Sequence, residues 1–242
     1  YNVLLLSLIG PTQTEMTSKS SPILGIDTGG TFTDFVYLHQ PGAKHQVQVH
    51  KVLSTPHAPD EAILQGIEEM ALTESVRSGA ILIIHGTTVA TNAALEGKGV
   101  RTAYITNTGL ADVLAIGRQT REELYNLTPD LPKVRFDPSL NLEVDVRLDA
   151  KGEVVTPLTP AAIKQLERDV KSLKPEAIAI NLLFSYLDPA DEMTIEALFQ
   201  EHFFVSRSSF VLPEINEYER GISTWVNSWI GPLIKDYLNS LQ

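Results

Sequence analysis

The chain reads as an α/β protein built around a mixed sheet, and three patterns carry that reading. Strand-type segments at 23–28, 33–38 and 45–52 are separated only by Gly29-Gly30 and by Gln40-Pro41-Gly42, the spacing of a three-stranded antiparallel meander. From residue 59 onward, helical periodicity alternates with short apolar runs, the rhythm of β-α-β units. Between the first two strands, in Gly25-Ile-Asp-Thr-Gly-Gly-Thr-Phe-Thr-Asp-Phe35, an acid, two glycines and three threonines interrupt core-like sequence, so the first turn is polar in an unusual way.

Each later element has its own signal. Ala62, Ile63, Gly66, Ile67, Met70 and Ala71 recur at helical spacing and predict a helix over 59–72. The apolar run 80–84 suits a buried strand, Thr88–Glu96 a helix, Val100–Thr106 a strand and Leu110–Ile116 another helix. Residues 128–160 hold five of the prolines, no sustained period and short charged strands such as Leu142–Arg147, which marks an irregular insertion or small subdomain. Rhythm then returns with a helix at 161–173, a buried strand at 177–183, a helix at 189–202 and a long final helix from 214. The expected division is therefore an extension at 1–22, a first α/β part at 23–127, the insertion at 128–160 and a second α/β part at 161–242. In the final helix Ile222, Trp225, Trp229, Leu233, Tyr237 and Leu241 form one apolar stripe, with Pro232 expected to bend it.

Composition narrows the function classes. A net charge of -11 disfavours a nucleic-acid binder, which needs clustered lysine and arginine to neutralise phosphates. Without cysteine there are no disulfides, thiolate nucleophiles or thiolate metal sites, and a cytoplasmic setting is expected. The apolar stretch Val3–Ile9 is far shorter than the roughly 20 residues that span a bilayer, so no membrane partner is expected. Met16 has the look of a natural start, which would leave residues 1–15 outside the functional part.

Four stretches offer chemistry. A tight hairpin with Gly29 and Gly30 at its centre, both at positive φ, would explain the glycines without any ligand. It would not explain the strand-end acid Asp27 together with Thr28, Thr31 and Thr33. Consecutive N–H groups in such a turn form an anion-binding concavity, hydroxyls add donors, and a carboxylate at the strand end can hold hydrated Mg²⁺ against phosphates. Next, His85-Gly86-Thr87-Thr88-Val89-Ala90-Thr91-Asn92 joins a strand to a helix start and suits an anionic or carbonyl group, or else Thr87 or Thr88 caps the helix and His85 is a hydrogen-bonded core residue. Arg118 lies in a charged run that is either a ligand contact or a solvated surface. Glu219 and Arg220 open the last helix, where acids also suit the helix dipole.

Taken together, "GIDTGGTFTDFVYL", "HGTTVATNAALEGKGVRTAYIT", "IGRQTREELYNL", "LFSYLDP" and "LPEINEYER" resemble the N-terminal region of the hydantoinase/oxoprolinase family, in order from about residue 23 to the end. The resemblance implies a lobe of the actin-like, ribonuclease H-like ATPase superfamily, in which the Asp-x-Gly-Gly-Thr hairpin is the first phosphate loop. It implies ATP and Mg²⁺ as cofactors and a cyclic amide or imide of hydantoin or 5-oxoproline type as substrate, opened after ATP activates its carbonyl. Asp27 would orient the metal, with Thr28, Gly29, Gly30, Thr31, Thr33 and Gly86 around the phosphates. His85, Thr87, Thr88 and Asn92 would line the reacting side, with Arg118, Glu219 and Arg220 as further candidates.

Relatives in the family also include acetone and acetophenone carboxylase subunits, so a carboxylase subunit is the alternative, as is a non-catalytic module that keeps the fold. Family A-type chains are longer and carry a second phosphate loop. Here the other Asp-x-x-Gly turn, Asp149-Ala-Lys-Gly152, lies in the insertion, so an N-terminal piece of a longer chain is expected, with the remainder and a B-type subunit as partners. The stretch 128–145 is shorter than its family counterpart, and the helix around Trp225 and Trp229 departs from the family's threonine-rich pattern. Apolar residues beyond Pro232 would then lack neighbours, and the chain is expected to self-associate through 233–241 or to cover them with 3–9.

Overall fold

The computed structural model describes residues 21–39, 47–55, 58–118, 125 and 136–240. Most of the expected extension, the stretch 128–135 of the proline-rich segment, and Leu241 lie outside them. Two compact units are present: Tyr1–Asn92 with Asp236–Gln242, and Ala93–Lys235. Compactness thus divides the chain at a different place from composition and rhythm.

The first unit contains β1 (Ile23–Thr28), β2 (Phe32–Leu38), β3 (Val47–Leu53), α1 (Pro59–Glu69), α2 (Thr73–Arg77), β4 (Leu82–Thr87) and the start of α3 (Val89–Leu95). The sheet order is β3-β2-β1-β4, with β1, β2 and β3 antiparallel and β4 parallel to β1. Alternation in β2 buries Thr33, Phe35 and Tyr37 on one face, the period of a strand covered on one side. That inner face, with Leu24, Ile26 and Val52, packs on Ile63, Ile67 and Met70 of α1. Pro59 stands in the first turn of α1 with Asp60 and Glu61, a start that suits both missing donors and the helix dipole.

The second unit follows with β5 (Thr102–Asn107), α4 (Val113–Ile116), β6 (Asn141–Val144), β7 (Arg147–Leu148), β8 (Val154–Thr156), α5 (Pro160–Leu173), β9 (Ala177–Asn181), α6 (Ala190–Phe199), β10 (Phe204–Arg207), α7 (Ser208–Val211) and α8 (Glu217–Ser240). Its main sheet, β10-β9-β5-β6, is parallel throughout, and every residue of β5 and β9 is buried, as expected of strands covered on both faces. Ile105, Ile178 and Ile180 face α5 and α6, whereas Tyr104 and Ala179 face Trp225 and Trp229 of α8.

Three features differ from the sequence expectation. The β-α-β units form a second sheet instead of one continuous sheet, and the short strand expected around Leu142, which the sequence assigned to the insertion, is β6 at the edge of that second sheet. The four-residue β10 was not foreseen, because so short a run has no readable period. Tyr237 and Leu238 do not stand uncovered beyond Pro232: α8 continues through the proline, and both residues pack on the first unit's own core, with Tyr237 only 7% exposed. Self-association through the whole of 233–241 therefore loses its premise.

Candidate active site

The first turn is tighter than expected. Thr28 pairs with Thr33, the Gly29 N–H donates to the Phe32 carbonyl at 3.0 Å, and Gly30-Thr31 make the corner. Neither Gly29 nor Gly30 has positive φ, so backbone freedom is not why they are glycines. Room is the reason at Gly29, where a Cβ would lie 3.1 Å from the Phe32 carbonyl oxygen; one on Gly30 would lie 3.4 Å from Asn92 Nδ2, about an ordinary contact. Among the described residues, the Gly30 and Thr31 N–H groups donate to no backbone carbonyl. Two adjacent free donors on a bare corner are suited to an anion.

Parallel pairing then sets β4 beside this corner, with Asp27 opposite Gly86 and Thr28 opposite Thr87. The carboxyl ends of parallel strands are where α/β sheets hold ligands. The Thr88 N–H donates to the Thr28 carbonyl at 3.2 Å, tying the two strand ends together. The Thr87 hydroxyl accepts from Val89 N–H at 3.2 Å, and Asn92 Nδ2 donates to Thr88 Oγ1 at 3.4 Å. Thr87 thus steadies the helix start, as the capping alternative foresaw, while Asn92 stands over Gly30.

Because aligned partners share a face, the predicted residues fall into two sets. On the outer face Asp27 is exposed, and its carboxylate has no hydrogen bond or ion pair among the described residues. Across from it a Cβ on Gly86 would stand 3.7 Å from Oδ1, so the glycine keeps space beside the carboxylate. Mg²⁺ commonly takes one or two carboxylates together with phosphate oxygens and water, and Asp27 fits that use. A cage made of protein alone does not fit, since no group of three or more such ligands occurs among the described residues.

On the inner face lie Thr28, Thr33 and His85, all buried. Thr33 Oγ1 meets Ser54 Oγ at 3.0 Å, and His85 Nε2 meets the Tyr237 hydroxyl at 2.5 Å. Burial lowers the His85 pKa from its ordinary 6.5, partly offset by the Ile26 carbonyl and the charge of Asp27. Burial likewise raises that of Tyr237, which the Thr28 and Thr87 hydroxyls moderate. Among the described residues, Thr28 Oγ1 and His85 Nδ1 nonetheless lack a hydrogen bond of normal geometry. His85 is therefore a buried polar group beneath the corner, the reading left open by the sequence. Tyr237 was missed as a site residue, because an apolar stripe hides a tyrosine whose hydroxyl must find a partner when buried.

Arg118, Glu219 and Arg220 belong to the second unit. Arg118 Nε pairs with Glu219 Oε1 at 2.6 Å on an exposed surface, and the Glu219 carboxyl is held low by its own backbone N–H and by Arg118. Arg220 is fully buried, and its guanidinium donates to Asn181 Oδ1, Ser208 Oγ and the carbonyls of Glu214 and Leu182 at 2.7–3.0 Å. Those donors are occupied inside the protein, so Arg220 organises a core and does not face a substrate. Asp149 joins β7 to β8, and its carboxylate accepts from the N–H groups of Lys151 and Glu153, which leaves it a turn-former and not a second phosphate loop.

The model of the hydantoinase/oxoprolinase N-terminal region matches residues 23–203. The chain belongs to this family. This hydantoinase/oxoprolinase chain is 33% identical to 5-oxoprolinase 1 of Arabidopsis thaliana over 244 residues, covering 88% of itself and 19% of that protein. Its fold superposes on an acetone carboxylase, solved nucleotide-free in work on ATP-dependent acetone carboxylation, with a TM-score of 0.77 at 25% identity. The aligned part is 92% of this chain and 34% of the carboxylase chain. The ATP-dependent caprolactamase of Pseudomonas jessenii gives a TM-score of 0.74 at 30% identity, over 90% of this chain and 32% of that one. The chain spans about a third of the length of the carboxylase and caprolactamase chains.

Proposed function

We propose that this chain is the first lobe of an ATP-dependent amidohydrolase of the actin-like, ribonuclease H-like ATPase class, opening a cyclic amide or imide of hydantoin or 5-oxoproline type. One observation carries the reading: parallel β1 and β4 end side by side, so that Asp27, the free N–H groups of Gly30 and Thr31, and the space kept by Gly86 converge at one end of the sheet. A polyphosphate needs that set of oriented donors, with a carboxylate for its metal. ATP supplies a phosphoryl group that converts the resonance-stabilised carbonyl oxygen into a leaving group. The chain's own residues would position charge: the corner would hold phosphate oxygens, Asp27 would hold Mg²⁺, and Asn92 stands beside the corner as a further donor.

The deciding experiment is turnover of the whole protein with hydantoins, 5-oxoproline, larger lactams and ketones, each with Mg-ATP. Asp27→Ala is expected to abolish ATP hydrolysis and shift the melting temperature by only about 5 °C or less, a small stability change for a chain of this size. Retained turnover would remove Asp27 from the site. A second reading, an ATP-dependent carboxylase subunit, is favoured by the likeness to acetone carboxylase, and ketone-dependent ATP turnover would select it.

A further inference from the structure

We infer that Tyr237 is a positioning residue for the phosphate corner: its hydroxyl, seated on His85 Nε2 beneath the ends of β1 and β4, holds the two strand ends in the register that sets Asp27 and the free N–H groups. The inference rests on the nucleotide reading above. Its support is geometric. Tyr237 lies far along the chain from the corner, yet it packs into the first unit's core with its hydroxyl 2.5 Å from His85 Nε2. His85 aligns with Ile26, one residue before the Asp27–Gly86 pair and two before Thr28–Thr87.

Around the phenol the polar atoms are few and incompletely satisfied. Among the described residues Thr28 Oγ1 and His85 Nδ1 have no hydrogen bond of normal geometry, so the tyrosine–histidine contact, with the Thr28 and Thr87 hydroxyls beside the phenol, is a direct polar tie from α8 to this part of the inner face. A buried polar group without its partner is costly, and strand ends relax when such a tie is removed. The side chain does not reach the outer face where Asp27 stands, and for that reason it positions the site and does not act on phosphate.

The test uses the whole protein and Mg-ATP as the probe, with wild type, Tyr237→Phe and Asp27→Ala measured in parallel by calorimetric titration and thermal melting. Losing one buried hydrogen bond is expected to weaken Mg-ATP binding about tenfold in Tyr237→Phe. The melting temperature should change by only about 5 °C or less. The His85 imidazole nitrogen resonances should also move in this variant. A purely structural role would lower the melting temperature and leave affinity unchanged at temperatures where the protein is folded, and that outcome overturns the inference. If Asp27→Ala loses binding while Tyr237→Phe binds as wild type, the positioning role falls and the nucleotide reading stands. If wild type does not bind, or Asp27→Ala binds as wild type, both fall.

Discussion

Gly30 stands at the corner for a reason other than backbone freedom. Positive φ was the ligand-free explanation for it, yet the corner does not use positive φ, and an added Cβ would meet only Asn92 Nδ2, at 3.4 Å. Gly30→Val should therefore fold nearly as well as wild type and lose Mg-ATP affinity in titration, because the added branches occupy the room a phosphate needs. Unchanged affinity would leave the corner a turn and nothing more. His85 yields a pH prediction. Its buried imidazole is kept neutral, so the unfolded chain takes up a proton near pH 6.5 that the folded chain resists. Its contribution is complete above that pH and is lost as pH falls below it. Between about pH 7.5 and 5.5, the melting temperature of His85→Gln should fall less than that of wild type.

At the scale of elements, α8 carries residues that looked alike in sequence and do different work. Glu219 pairs with Arg118 in solvent, while its neighbour Arg220 turns inward to a network in which Ser208 Oγ donates to buried Glu192 at 2.6 Å. Breaking such a buried charge arrangement by removing one partner typically costs about 3–5 kcal/mol. Arg220→Met is expected to show a loss of that order in urea unfolding, and Arg118→Ala close to none. Loss of activity in Arg220→Met with stability intact would return Arg220 to the substrate. The periodicity placed α5 at 161–173, and the structure adds the device that starts it: Thr159 caps α5 ahead of Pro160 and accepts from Ala162 N–H at 3.2 Å. The short elements α7 and β10 were not legible, since four residues carry neither period nor cap.

For the whole molecule, a chain of 242 residues that spans about a third of its ATP-dependent relatives is expected to bind nucleotide poorly alone. It presents one corner proposed to take phosphate, and the Asp-x-x-Gly turn at Asp149 has its carboxylate engaged internally. Calorimetry of the isolated chain with Mg-ATP should give no affinity in the micromolar range, and a micromolar constant would contradict the half-site reading. The sequence by itself determined the family, the first three strands, most helices and the identity of the corner, because period, turn chemistry and motif are local properties of the chain. Only the tertiary structure decided which face each corner residue uses. Strand pairing sends Asp27 outward and Thr28, Thr33 and His85 inward, and no local pattern announces the partner across a parallel ladder. It also decided that the end of α8 belongs to the first unit and that Tyr237 meets His85, since contacts so far apart along the chain are made by packing and not by sequence neighbours.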